Sequence, residues 1–307
     1  VTRASVVVPS RGGATRLPVL LEALAKQTHP DWEAIVVVDG DVDGSEQVLA
    51  RYDHLPLRLI VLPTNRGRVT ALNTGFAAAT GEVLIRADDD FEPSPGHVAA
   101  HVAAHELAEC GAIGQPLNIA PDNAYMRAYG HRADELGRAA AYAADPQVRW
   151  RFWGGNTSVT RAVFDRVGGF DDRYQGYGWE DVDFGYRVHR LGIPIVMLPA
   201  AEVRHHMASI DTVTRTSRAY LSGQARARFE QIHGLSTTEA APASTWERVT
   251  RRLASRLDAE SAQRTARFVD RTLPMLPRPL GRKAVALVVE SAARAAEMDH
   301  KRDRHAD

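Results

Sequence analysis

Three consecutive carboxylates, Asp88-Asp89-Asp90, follow the apolar run Val83-Leu84-Ile85 and the pair Arg86-Ala87. At the exit of a buried strand such a cluster repels itself, and a cation that joins it relieves the repulsion. On an extended segment Asp88 and Asp90 point to one side and Asp89 to the other. One carboxylate then holds a hard cation while its neighbour reaches the same ion or a ribose hydroxyl. Ions such as Mn2+ or Mg2+ suit this arrangement, because they take few protein carboxylates and complete their shell with phosphate oxygens. A divalent metal carrying a nucleoside diphosphate is the ligand the triplet suggests, and an acidic turn ahead of Pro93 and Pro95 is the plainer alternative.

A second acidic group, Trp179-Glu180-Asp181-Val182-Asp183-Phe184, stands where a helix should begin. Carboxylates in a first turn favour the helix dipole on their own account. Phe184, Val188 and Leu191 form an inward stripe on that helix, and the spacing puts Glu180 and Asp181 on its side. These two are expected to face the body of the protein and Asp183 to point elsewhere.

The elements that must carry these groups alternate through the first half of the chain. Short β-branched runs at Ser5–Val8, Ile35–Val38, Leu57–Leu62 and Glu82–Ile85 are separated by helical patterns, one with Leu17, Leu20, Leu21 and Leu24 in register and one over Val69–Ala79. That rhythm predicts an α/β fold with a parallel sheet under covering helices. The polar ends of its strands, Pro9-Ser10-Arg11, Asp39-Gly40-Asp41 and Asp88 to Asp90, then converge on one edge. Further on, the pattern predicts helices over 96–108, 123–143 and 161–167, and strands over Ala112–Ile119 and Ile193–Leu198. The aromatic and glycine density of 150–179 suits a binding surface. A helix from about Asp211 to His233 precedes a linker at 236–244, and the remainder to 307 is helical, rich in Ala and Arg, and broken near Pro274, Pro277 and Pro279.

Ser5 to Arg11, Asp39 to Ser45, Asn65-Arg66-Gly67-Arg68, Asn73-Thr74-Gly75, Gly81-Glu82 and Asp88-Asp89-Asp90 occur in an order and spacing that resembles family 2 glycosyltransferases of the GT-A fold. Gly154-Gly155-Asn156, Gly168-Gly169-Phe170-Asp171 and Tyr177-Gly178-Trp179-Glu180-Asp181 resemble the acceptor half of the inverting members. The resemblance covers roughly residues 3–235. It implies a Rossmann-like, mostly parallel central sheet in a catalytic domain over 1–235, with a nucleotide-sugar half to about 120 and an acceptor half over 121–235. A helical extension over 245–307 lies outside it.

By that similarity Asp181 is the general base and Glu180 orients an acceptor hydroxyl, with Trp179, Gly155 and Asn156 at the acceptor. Pro9, Arg11, Asp39, Arg68, Asp88 and Asp89 fall to the nucleotide, Asp39 as acceptor for a uracil N3 hydrogen. Asp90 with His205 or His206 falls to the metal. The histidines of a strand-like pair point to opposite sides, so one is expected to bind, with the preference going to His205. The implied partners are a nucleotide-diphosphate sugar, UDP-linked, and a small-molecule, glycan or lipid-linked acceptor. Two other readings stay open: a sugar nucleotidyltransferase, and a silent carbohydrate-binding protein of the same fold.

Bulk properties set limits on these readings. The 307 residues carry no formal net charge, so the overall balance gives no reason to expect nucleic acid or an anionic membrane as a partner. Cys110 is the only cysteine, excluding an intrachain disulfide and a cysteine-rich zinc site. With no leader pattern ahead of Val6-Val7-Val8 and no membrane-length apolar run, a cytoplasmic protein is expected, with peripheral membrane attachment left open. The helical extension could also close a homodimer.

Overall fold

The computed structural model describes residues 1–206, 209–237 and 244–306, the side chains to residue 300. These fall into two compact units. One comprises Val1–Ile119, Arg138–Gln175 and Glu180–His206, and the other Ala120–Gly137, Gly176–Trp179 and Met207–Asp307. The helix Thr212–His233 thus groups with the C-terminal helices. Within the expected linker, residues 238–243 lie outside the described residues.

The first unit holds ten strands: β1 (Ala4–Ser10), β2 (Trp32–Asp39), β3 (Leu57–Leu62), β4 (Val83–Arg86), β5 (Phe91–Pro93), β6 (Gly111–Ile113), β7 (Pro116–Ile119), β8 (Thr157–Thr160), β9 (Ile195–Met197) and β10 (Val203–His206). Seven form the central sheet in the order β3-β2-β1-β4-β8-β6-β9. All neighbours are parallel except β8, which runs antiparallel to β4 and β6. β5, β10 and β7 form a second, three-stranded sheet. This is a mixed α/β fold with a mostly parallel sheet, as the sequence pattern predicts. Because β1, β2 and β4 are parallel and adjacent, their polar C-terminal ends share one edge, the place where open α/β sheets bind ligands.

Val6 and Val8 of β1 and Val36 and Val38 of β2 pack with Leu17, Leu20, Leu21 and Leu24 from the helix Leu17–Leu24, all buried. A helix face with apolar residues at that spacing has no other place to hide from water. On the other side an aromatic cluster fills the core. Phe76 stacks on Phe164 with ring centroids 4.8 Å apart, and Phe170 stacks on Phe184 at 4.7 Å. Trp150, Trp153, Phe170 and Tyr174 are all buried. The aromatic density of 150–179 therefore serves largely as core, a correction to its reading as a binding surface.

Three other local expectations are corrected. The strand expected over Ala112–Ile119 is cut at Gly114-Gln115, its halves joining different sheets. A Cβ at Gly114 would overlap the Ala201 carbonyl and the Asn156 amide, so only glycine allows the crossing. Leu191, expected inward, is 41% exposed because the helix Glu180–Arg190 ends before it. Asp183, expected to point away, is fully buried; its carboxylate accepts from Arg187 Nε at 2.7 Å and from the Tyr174 hydroxyl at 3.3 Å.

The helix His97–Leu107 places His97, His101 and His105 on one buried face, one turn apart. His101 Nδ1 lies 2.8 Å from Ser158 Oγ and its Nε2 3.1 Å from Asn156 Oδ1. His105 Nε2 lies 2.7 Å from the same serine hydroxyl. Burial pushes the His97 and His105 imidazoles down to about 4 and His101 well below the usual value.

The second unit is helical: Thr212–His233, Thr245–Ala254, Ala259–Thr272 and Arg278–Ala306. Its core joins Tyr125 and Met126 to Ala266, Val269, Leu273, Val285, Val288 and Val289. Gly223 lets Thr212–His233 approach the long C-terminal helix so closely that a Cβ there would overlap the Ala293 carbonyl.

Candidate active site

Beyond β4 the chain enters the acidic triplet, and its three carboxylates take separate partners. Asp89 turns back under the sheet edge. It accepts from Ser10 Oγ at 2.5 Å and from both Arg16 Nε and Nη2 at 2.9 Å. Burial holds its pKa above the usual carboxylate value against the pull of Arg16 and Ser10. Asp88 lies 3.2 Å from Arg86 Nη2. Burial alone would raise Asp88, but Arg86, Arg68 and His205 together bring it below the ordinary range. Asp90 Oδ2 lies 3.2 Å from His205 Nε2.

Arg86, the last residue of β4, has only 1% of its side chain exposed, and the carboxylates gather around it. Its guanidinium is 3.8 Å from Glu180 Oε1 and 3.9 Å from Asp181 Oδ2 as well as facing Asp88. Arg68, at the start of the helix Arg68–Ala78, approaches Glu180 Oε1 at 3.7 Å. Glu180 and Asp181 open the helix Glu180–Arg190 and face this cluster. Burial, and then the neighbouring Glu180 charge, raise Asp181 to about 7 against the pull of Arg86. Among the described residues, Arg86 Nη1, Glu180 Oε1 and Asp90 Oδ1 are buried without a hydrogen-bond partner. Arg86 Nη1 and Glu180 Oε1 lie within ion-pair distance of charged neighbours without a hydrogen bond, which leaves these atoms with unused hydrogen-bonding capacity.

The small sheet sets the histidines apart. His205 Nδ1 lies 2.5 Å from Asn118 Oδ1 on β7, which leaves Nε2 toward Asp90. His206, on the opposite face of β10, lies 2.9 Å from Glu92 Oε2 and is half-exposed. Only His205 is directed at the triplet. Among the described residues no group of three or more His, Cys, Asp or Glu side chains forms a ready-made metal cage.

The other expected residues lie on several elements. Asp39, buried at the end of β2, accepts from the backbone N–H groups of Arg66 at 2.6 Å and Gly67 at 2.9 Å, which fixes the loop ahead of Arg68. Pro9 lies in β1, and Arg11 is exposed just beyond it. A Cβ at Gly155 would overlap the Asp88 carboxylate. Asn156 is turned inward: its Nδ2 donates to Ala201 O at 2.8 Å and its Oδ1 faces His101, so the side chain acts as a buried strut where an acceptor contact was expected. Trp179 takes the left-handed backbone conformation, φ 68°, uncommon for a bulky residue. Its indole N–H donates to Ser222 Oγ at 3.1 Å and its ring packs on Phe229.

Sequence reasoning missed Arg86 and Arg16 as parts of the site. The signal for Arg86 was an arginine at the end of an otherwise apolar strand, which burial permits only beside counter-charges.

A family model for glycosyl transferase family 2 matches residues 5–168, just over half of the chain, and one for the N-terminal domain of galactosyltransferase matches residues 136–210. The chain belongs to glycosyl transferase family 2. It is 29% identical over 244 residues to validoxylamine A glucosyltransferase of Streptomyces hygroscopicus subsp. jinggangensis, covering 68% of this chain and 58% of that protein. It is likewise 29% identical over 238 residues to N-acetylglucosaminyl-diphospho-decaprenol L-rhamnosyltransferase of Mycobacterium tuberculosis, covering 66% of this chain and 76% of the relative. The chain thus spans little more than half the length of its validoxylamine relatives. Among solved structures, the mannosyltransferase PcManGT from Pyrobaculum calidifontis in complex with GDP-Man and Mn2+ superposes with a TM-score of 0.62 at 20% identity, over 99% of this chain and 88% of that one. Residues 1–349 of S. aureus TarS give 0.56 at 17%, over 98% and 92%. These likenesses are of fold, the GT-A fold.

Proposed function

We propose that the chain is a metal-dependent, inverting glycosyltransferase that moves a sugar from a nucleoside-diphosphate sugar, UDP-linked, to an acceptor hydroxyl or amine. The observation that carries this reading is the shared guanidinium of Arg86, which brings Asp88 of the triplet and the Glu180-Asp181 pair to one buried locality. Catalysis falls to residues of the 1–235 region, with 245–307 as a helical extension. Family membership and the nucleotide-sugar complexes of the structural neighbours support the same donor class.

The side chains fit a divalent ion. Asp90 offers a buried oxygen that no described residue satisfies, and His205 presents Nε2 beside it. These two would hold Mn2+ or Mg2+ with help from Asp88, and the bound ion would offset the charge of a departing diphosphate. Asn118 fixes the His205 ring, since an imidazole whose Nδ1–H donates to an amide oxygen keeps the lone pair on Nε2. Asp89 takes no part in this and pins the triplet to β1 through Ser10.

Asp181 is the base. A carboxyl raised to about 7 keeps a useful deprotonated fraction at neutral pH while being basic enough to take a proton from an attacking hydroxyl. Glu180 orients the acceptor hydroxyl from the same helical turn. Arg86 and Arg68 keep the three acids from neutralising one another by proton uptake, and Asp39 holds the nucleotide-side loop. Direct displacement by the acceptor, with the base on the side opposite the diphosphate, inverts the anomeric centre.

The test is a thermal-shift screen of UDP-, GDP- and dTDP-sugars with Mn2+, followed by assay of nucleoside-diphosphate release with candidate acceptors. Mn2+-dependent stabilisation by one donor and acceptor-dependent release of its diphosphate support the reading. Pyrophosphate release from a nucleoside triphosphate would identify a nucleotidyltransferase instead, and no turnover with bound donor would identify a silent binding protein.

A further inference from the structure

In the second unit, the helix Ala259–Thr272 passes into Arg278–Ala306 through a proline-rich turn, Leu273-Pro274-Met275-Leu276-Pro277. Ala262, Ala266, Val269 and Leu273 form its buried stripe. The opposite face, by helical spacing, carries Arg267, Phe268 and Arg271 and runs on to Met275. Phe268 is 66% exposed, Met275 84% and Leu280 55%. Isolated apolar residues at a surface need no explanation, but a phenylalanine, a methionine and a leucine grouped around one turn do.

The charge around them is of one sign. Arg267, Arg271, Arg278, Arg282 and Lys283 are all exposed, and none forms an ion pair with a described residue. Between Arg267 and Val289 the only acidic residue is Asp270, whose carboxylate is engaged by the backbone N–H groups of Thr212 and Val213. The chain as a whole has no formal net charge, so this patch is a local concentration.

We propose that this turn is a docking surface for an anionic lipid bilayer. Arginine and lysine draw a surface toward anionic headgroups, and exposed Phe, Met and Leu side chains gain by entering the headgroup and acyl boundary. Charge complementarity selects an anionic surface, and the projecting apolar trio selects a lipid one, since a nucleic-acid backbone offers those side chains nothing to bury against. No helix among the described residues is long and apolar enough to cross a membrane, and contact through this turn is interfacial in kind. The inference rests on this surface alone and is independent of the chemistry assigned to the active site.

The experiment is co-sedimentation of the full chain with vesicles of equal parts phosphatidylcholine and phosphatidylglycerol, against vesicles of phosphatidylcholine alone. Binding is expected to the first and not the second, and to weaken as salt is raised. Each basic residue at an anionic surface adds about fivefold in partitioning, so the triple variant Arg267→Glu, Arg271→Glu, Arg278→Glu should bind weaker by about a hundredfold or more. The triple variant Phe268→Ser, Met275→Ser, Leu280→Ser, with charge unchanged, should also lose binding, and circular-dichroism melting checks that each variant is folded. The wild-type salt dependence and lipid preference stand even if a variant fails to fold. Equal binding of the wild type to both vesicles, undiminished binding by both folded variants, or retention on a DNA duplex without binding to vesicles would overturn the proposal.

Discussion

Arg86 and Asp181 face each other at 3.9 Å, the guanidinium wholly buried and the carboxyl raised to about 7. Asp181 must be deprotonated to act as a base, so kcat/KM should rise with pH and level off above about 7. Arg86 pulls the Asp181 pKa down, hence Arg86→Met should move that limb to higher pH. Removing one partner from a buried charge cluster also costs about 3–5 kcal/mol, so the same variant should melt well below the wild type. A pH–rate profile with no limb near 7, or one unmoved in a folded Arg86→Met, would count against the base assignment.

Asp181→Asn keeps the volume of the side chain and one acceptor oxygen while removing its basicity. Transfer should fall by about 10²- to 10⁴-fold, the range for loss of a general base. Metal-dependent binding of the nucleoside diphosphate should survive, because Asp90 and His205 are untouched. Isothermal titration alongside turnover separates the two effects, and full turnover by this variant excludes the role.

The two histidines should separate cleanly. His205→Ala should weaken Mn2+-dependent binding of UDP as Asp90→Ala does, whereas His206→Ala should leave it near wild type, its partner being Glu92. Thermal-shift titration with Mn2+ and UDP reads this directly. Equal losses from both variants would mean that β10 does not hold the register seen here.

Gly155→Ala tests how tightly the acidic triplet is seated. The added methyl would meet the Asp88 carboxylate, so activity should fall sharply while the fold survives. A crystal structure of the variant should show Asp88 displaced from Arg86.

The buried histidine face sets a pH dependence of stability distinct from that of catalysis. His97 and His105 titrate at about 4 in the fold and near 6.5 when unfolded, so below 6.5 the unfolded chain takes up protons that the folded chain refuses. Their contribution to stability is full above about 6.5 and declines down to about 4, by roughly 3 kcal/mol for each of these two residues. Denaturant melts across that window check it, and His105→Gln should flatten the slope.

The parallel part of the sheet could be read from the chain because β1, β2 and β4 are largely apolar runs buried on both faces and the helix Leu17–Leu24 keeps a regular stripe; the edge strand β3, half-exposed, still matches the expected Leu57–Leu62 residue for residue. The acidic edge was legible for the same reason, since parallel strands must end together. What the sequence hid depends on contacts between distant segments. Nothing local distinguishes Asp183, sealed in by Arg187 and Tyr174, from Asp181 two residues before it. Asn156 looked like a loop residue open to a ligand, and its burial depends on Ala201 and His101. Arg86 could be placed only once Glu180 and Asp181 were known to arrive beside it.

β10 is held to one register from both sides and from below, paired with β5 and β7 and rooted in the core by Val203. Its residues alternate faces, so a slip by one position against β7 would exchange His205 for a neighbour. In one direction that neighbour is Arg204, which would put a permanent cation where the His205 imidazole stands; in the other it is His206, again an imidazole. That second slip would also bring Arg204 to the fully buried place of Val203, so the imidazole is kept only by breaking the core beneath it, and the segment between β9 and β10 should hold its length across lineages of this chain.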